Sequence, residues 1–402
     1  MLRRQLRRLV AVIMVGVGLL TATSATTSAR EPGPQPDRGT LVSVTPLERL
    51  DRAEVAAQLS RHGLDTAQIR YGVRSYRVEY RTVDLRGRLT TASQLAVLPE
   101  SGQRRLTAAV NLHGTTIART EVASMSDGQD RSTSYLLGAA GYAVSAPDYL
   151  GLGTGSGFHP YLHSDSTASA GLDGVRALGQ LGHWHGQRLD REVMITGFSQ
   201  GGHAAMALGR LLDGGADRQF RVGALAPVSG PYDTSSMVRD LVTTDLDHRA
   251  SYLAYLIISW NRIHGLYDDP ADAFRAPYAA TIEELFDHTH PAYEVLSALP
   301  QDPADLFTPE FLGLLEHPTG RLAEVIKDEA EVCQWRPPVG VRLYSASGDR
   351  VAPAKNSLYC AAQVRQHGGR AQVVDLGEID HLGSAARAMP LVVAQFDQAR
   401  RH

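Results

Sequence analysis

Residues 193–203 read Val-Met-Ile-Thr-Gly-Phe-Ser-Gln-Gly-Gly-His: an apolar run, Val193 to Ile195, then the G-x-S-x-G pattern of Gly197, Ser199 and Gly201, then a helix-like stretch over 203–212. A strand that turns sharply into a helix with a serine at the bend is a nucleophile elbow. A serine hydroxyl is a weak nucleophile at neutral pH and needs a tight turn that lifts it clear of the backbone and beside a base. Glycines two before and two after Ser199 leave that room, because a Cβ there would meet the neighbouring strand or helix. The following helix aims its free N–H groups and positive dipole end at the serine, where negative charge develops during acyl transfer. The chain has 38 glycines, so the pattern takes its weight from the strand before it and the helix after it.

Working outward, apolar runs at 106–112, 142–146, 222–227, 341–345 and 371–376 alternate with helical patterns. Such alternation predicts an α/β fold, a mostly parallel sheet covered by helices on both faces. Residues 71–83 and 89–98, joined by Asp84-Leu85-Arg86-Gly87, read as an opening antiparallel hairpin. Ser164 or Asp165 is the expected cap of a helix carrying Leu172, Val175 and Leu178. From 232 to 338 the alternation stops, and helix-like pieces at 250–263, 281–286, 292–299 and 321–332 read as a helical cap inserted into the sheet domain. The core is then 39–231 together with 339–402. Within the cap, Tyr252 to Trp260 is apolar on most sides, which predicts the cap's own core, with a lid or acyl-chain wall as the functional alternative.

A nucleophilic serine needs a base, and the base an orienting acid; on this architecture they follow in the order serine, acid, histidine. Asp349, in Ser345-Ala346-Ser347-Gly348-Asp349, stands just past a strand end and is the expected acid. Glu378 is the outside candidate, since Asp375 falls inside a strand and Asp380 is too close to the histidine to reach its far nitrogen. His381, in the loop after the last strand, is the expected base. The oxyanion of an acyl-transfer intermediate needs two donors. One is the backbone N–H of Gln200; the other comes from the loop Leu112-His113-Gly114-Thr115-Thr116, through Gly114 or Thr115. His183 and His185 flank Trp184 without further ligands nearby, so no metal site is expected there.

The N-terminus carries Arg3, Arg4, Arg7 and Arg8, an apolar run over 9–20, and Thr27-Ser28-Ala29. This is the pattern of a secretory signal peptide (1–29) cleaved near Ala29, and its apolar run is shorter than the roughly 20 residues of a membrane span. A Pro- and Gly-rich leader, 30–38, is expected to be disordered. The formal net charge of -3 and the absence of a dense basic stripe after the signal argue against nucleic-acid binding and leave a small-molecule or lipid substrate. In an exported chain the two cysteines, Cys333 and Cys360, can form a disulfide.

Together, the runs NLHGTT (111–116), APDYLGLG (146–153), HPYL (159–162), LDGVRA (172–177), GFSQGGHAA (197–205) and SGPY (229–232), with the Asp349 and His381 loops, resemble an α/β-hydrolase of the secretory lipase, or lipase-A-like, branch with a helical cap. The resemblance spans about 39 to the C-terminus. It implies a secreted serine esterase or lipase acting on carboxylic esters through Ser199, Asp349 and His381, with no cofactor and no stable membrane anchor. After HGTT the chain runs Ile117-Ala118-Arg119-Thr120-Glu121-Val122-Ala123-Ser124, where family members carry an acidic residue and a Cys-Ala-Pro-Ser-like segment. The alternatives are an acyltransferase or a peptidase of the same fold and, remotely, a non-catalytic binding protein, which would predict decay of the elbow or its partners.

Overall fold

A computed structural model describes residues 37–401. The signal peptide and most of the leader lie outside the described residues. Arg38, expected in the disordered leader, is instead anchored to the buried Asp173 at 3.0 Å.

The strands β1 (Leu41–Leu50), β2 (Val73–Val83), β3 (Leu89–Pro99), β4 (Arg105–Leu112), β5 (Ala143–Pro147), β6 (Arg188–Phe198), β7 (Arg221–Val228), β8 (Val341–Ser345) and β9 (Ala371–Asp375) form one nine-stranded sheet, ordered β1-β2-β3-β5-β4-β6-β7-β8-β9. The pairings β1 to β2, β2 to β3 and β3 to β5 are antiparallel; from β5 across to β9 they are parallel. The chain passes from β4 to β5 on one side and returns to β6 on the other. The strand order therefore reverses at β4, and a crevice opens where its C-terminal end adjoins that of β6.

Central strands such as β4 are buried almost throughout because helices cover both faces. Helices Ser164–Trp184, Gln200–Asp213 and Lys355–Gln366 pack one apolar core; Arg52–Arg61, Gln129–Ala139 and His381–Arg400 pack the other. The cap between β7 and β8 includes helices Thr234–Thr243, Arg249–His264, Pro309–Glu316 and Gly320–Glu329 around a third core holding Trp260, Phe286 and Phe307. From Leu253 to Trp260 every residue is buried there, whereas Tyr252 is part-exposed.

The structure differs from the sequence reading in several places. Strand β1 is mostly exposed and contains Pro46, so it lacks the apolar alternation that betrays a strand. Helix Arg52–Arg61 is started by a capping box between Asp51 and Glu54. Thr234–Thr243 and Pro309–Glu316 begin at Asp233 and Thr308, whose side chains accept from Ser236 N–H and Phe311 N–H. The cap of Ser164–Trp184 is His163 rather than Ser164 or Asp165: its Nδ1 accepts from Ser166 N–H at 3.2 Å. In agreement with the sequence reading, Cys333 and Cys360 are disulfide-bonded, joining the exit of the cap to the helix after β8.

Candidate active site

Ser199 sits between β6 and helix Gln200–Asp213 with φ 55° and ψ -119°, a conformation that a non-glycine residue holds only when its surroundings impose it. Those surroundings require glycine. A Cβ on Gly201 would lie 1.9 Å from the Leu112 carbonyl oxygen, and one on Gly197 would lie 2.2 Å from that of Gly201. The glycines thus let the end of β4 and the start of the helix close onto the bend.

Asp349 and His381 come to this bend from beyond the ends of β8 and β9. His381 is the first residue of helix His381–Arg400, one step later than the loop position expected, because Asp380 caps that helix by accepting from Gly383 N–H at 2.7 Å. Asp349 Oδ2 accepts from His381 Nδ1–H at 2.7 Å, and His381 Nε2 faces Ser199 Oγ at 2.9 Å. A carboxylate can only accept, so the proton belongs on Nδ1 and Nε2 is free to take the serine proton. The other oxygen, Oδ1, accepts from Val351 N–H at 2.9 Å and Ala352 N–H at 2.8 Å, which fixes the carboxylate in its plane. All three residues are buried: Ser199 is 8% exposed, Asp349 5% and His381 8%. Asp380 is engaged as a helix cap, and Asp375 accepts from Gly377 N–H at 2.9 Å.

Gly114 and Thr115 line the same cavity as Ser199. Among the described residues, the backbone N–H groups of Gly114, Thr115 and Gln200 have no hydrogen-bond partner. That of Gln200 is an unpaired donor of a first helical turn. Such donors can stabilise an oxyanion on a carbonyl carbon bonded to Ser199.

Residues to which the sequence reading gave no role hold these donors in place. The Gln200 side-chain amide donates to His159 Nε2 at 2.9 Å, and His159 Nδ1–H donates to Leu150 O at 3.1 Å. This pattern needs a neutral ring, and burial, with His288 and His113 acting alongside, holds the His159 pKa well below the usual histidine range. Tyr161 OH contacts Thr115 Oγ1 at 2.9 Å and stacks on Tyr255 of the cap, whose OH donates to Thr116 O at 3.1 Å. His288, also from the cap, donates from Nδ1 to Ile117 O at 3.0 Å and accepts His159 N–H on Nε2 at 2.8 Å. Only the run HPYL hinted at this shell, as a motif without a role.

The other shared runs are structural. In APDYLGLG, the fully buried Asp148 accepts from Ser93 Oγ at 2.5 Å and Ser124 Oγ at 2.6 Å. In LDGVRA, Asp173 pairs with Arg176 at 2.7 Å. His203 is buried and its Nε2–H donates to Glu329 O at 3.1 Å, away from the serine. Among the described residues no group of three or more His, Cys, Asp or Glu side chains could hold a metal ion, and no helix is long and apolar enough to cross a membrane.

Comparisons with known proteins agree with this architecture. The family model described as Secretory lipase matches residues 119–213. A Legionella pneumophila protein assigned as a hydrolase is 26% identical, with a TM-score of 0.83 over 90% of this chain and 98% of its own. The ligand-bound rice cell wall degrading esterase LipA of Xanthomonas oryzae is also 26% identical, with a TM-score of 0.78 over 91% of this chain and 98% of its own. Candida antarctica lipase A in its closed state shares the fold at 14% identity, with a TM-score of 0.64 over 90% of this chain and 83% of its own. A comparison with curated proteins by sequence gives no match. Sheet order, elbow and these likenesses converge on one assignment: the chain is an α/β-hydrolase of the lipase and esterase type, with a Secretory lipase match over residues 119–213.

Proposed function

We propose that this protein is an exported serine carboxylic-ester hydrolase. The observation that carries the reading is the 2.9 Å approach of His381 Nε2 to Ser199 Oγ on a strained elbow, beside unpaired backbone donors. In the first half-reaction Ser199 Oγ attacks the ester carbonyl carbon while His381 Nε2 takes its proton. Asp349 holds the imidazole in the required tautomer and stabilises the imidazolium. The oxyanion is received by Gln200 N–H and by the N–H of Gly114 or Thr115, and collapses as His381 returns the proton to the departing alcohol. Water, deprotonated by the same histidine, then releases the acid from the acyl-enzyme.

An ester as the bond cleaved is supported by the family match and by the kinship with an esterase at 26% identity. Export is supported by the signal-like N-terminus and by the Cys333–Cys360 bridge, a bond that reducing cytosol does not favour. The substrate partner is a small-molecule or lipid ester. The test is hydrolysis of p-nitrophenyl esters from acetate to palmitate by the mature protein and by Ser199→Ala. We expect the variant to lose at least about 10⁴-fold in kcat while keeping its thermal transition. Full activity in a folded Ser199→Ala protein overturns the proposal, and hydrolysis outpaced by transfer to added alcohol redirects it to an acyltransferase.

A further inference from the structure

The cavity that opens at Ser199 and His381 has a volume of about 150 Å³. Sites for drug-sized ligands occupy roughly 300–1,000 Å³, so the space suits a small group. Much of its wall is apolar, from Phe198, Val228, Leu382, Ala385 and Met389. The rest includes Gln129, Asp130 and Thr133 from the first turns of helix Gln129–Ala139.

These three side chains have no hydrogen-bond partner among the described residues, and the bonds made by Asp130 use its backbone carbonyl. Thr133 is only 8% exposed and lines the cavity. Burial raises the Asp130 carboxyl above the ordinary carboxylate range, against the opposing influence of His113. A carboxyl group accepts a hydrogen bond from a hydroxyl in either protonation state. A hydrocarbon chain would leave the buried Thr133 hydroxyl without a partner, whereas a ligand that carries its own hydroxyl would pair it.

Of the two halves of an ester, the acyl half is the one that such a recess would hold longer. The alcohol departs after the first half-reaction and water replaces it, whereas the acyl group stays bonded to Ser199 through both. The recess beside Ser199, backed by the buried Asn111, Thr196 and Val228, has room for a short acyl group.

We propose that this recess selects esters of short hydroxylated carboxylic acids, with Thr133 and Asp130 hydrogen-bonding the acyl hydroxyl; the inference rests on the ester-hydrolase reading above. The experiment compares kcat/KM for p-nitrophenyl 3-hydroxybutyrate against butyrate, and glycolate against acetate, in the wild type, Thr133→Val, Thr133→Ser, Asp130→Leu and Asp130→Asn. The hydroxylated member of at least one pair should be preferred about tenfold or more by the wild type. That ratio should fall toward one in Thr133→Val and Asp130→Leu and be better retained in Thr133→Ser and Asp130→Asn. Because the ratio is taken within each protein, a general loss of activity cancels. A wild-type ratio at or below one, or a ratio unchanged in both Thr133→Val and Asp130→Leu, overturns the proposal. Where variants fail to fold, the wild-type ratio alone decides. A folded wild type that turns over no ester overturns the ester-hydrolase reading, and this proposal with it.

Discussion

Gln200 presents two different groups: its backbone N–H is a free donor beside Ser199, and its side chain is tethered to His159. That tether is the strongest candidate for a residue that acts through another. Replacing His159 by Phe keeps bulk but removes the acceptor, leaving a buried amide whose Oε1 already lacks a partner among the described residues. Outright loss of an oxyanion donor costs about 10²–10³-fold in kcat, and a loosened donor should cost less. We therefore expect His159→Phe to lower kcat by about 10- to 100-fold with little change in KM, measured by steady-state kinetics on a p-nitrophenyl ester. An unchanged kcat would show that the Gln200 peptide is held without its side chain. Ser199, Asp349 and His381 were legible in the sequence because each follows a strand end in a fixed chain order. His159 was not, since a lone histidine in a loop carries no periodicity and gains meaning only through a contact 41 positions away.

At the scale of elements, the cap helix Gly320–Glu329 meets the N-terminus of the core helix Ser164–Trp184 through a buried carboxyl. Glu329 Oε2 accepts from Ser164 N–H at 2.9 Å, and Glu329 is 5% exposed. Burial raises its pKa to about 7 from an ordinary 4.5, with repulsion from Asp165 and Asp328 in the same direction and the Ser164 bonds opposing. The folded protein thus holds a proton that the unfolded chain has lost between these values. Its contribution to stability is full below about 4.5, declines as pH rises and is lost above about 7. The neighbouring His203, pushed down by burial to about 4 from 6.5, acts with the opposite slope between those two values. The difference between variant and wild type isolates the carboxyl. Glu329→Gln keeps an acceptor for Ser164, so above pH 7 it should be the more stable protein, by up to about 3 kcal/mol, with the advantage vanishing toward pH 4.5. Denaturant melts across that range check it, and parallel curves for the two proteins would rule it out. Such a pair is invisible in sequence because it joins residues 165 positions apart, whereas the cap helices at 250–263, 292–299 and 321–332 are legible from their own residues. The strands of the parallel sheet did announce themselves through apolar runs such as 193–195 and 222–227.

Over the whole molecule, the Cys333–Cys360 bridge closes a loop across the return from cap to sheet, with a sequence separation of 27. Chain entropy for a loop of that size gives about 3–4 kcal/mol of stabilisation. The double variant Cys333→Ser, Cys360→Ser should lose that amount in denaturant melts, and reductant should destabilise the wild type but not the variant. Equal stability in the two would place the bridge outside the unfolding unit. The architecture was readable because its evidence is repetitive, strand after strand, whereas the cap's seat on the core rests on single contacts. Two of these contacts tie Tyr255 and His288 of the cap to the carbonyls of Thr116 and Ile117, directly after the candidate oxyanion donors. The cap is therefore bonded to the loop that carries the candidate oxyanion donors, and a change that loosens its seat reaches that loop without touching a residue of the elbow.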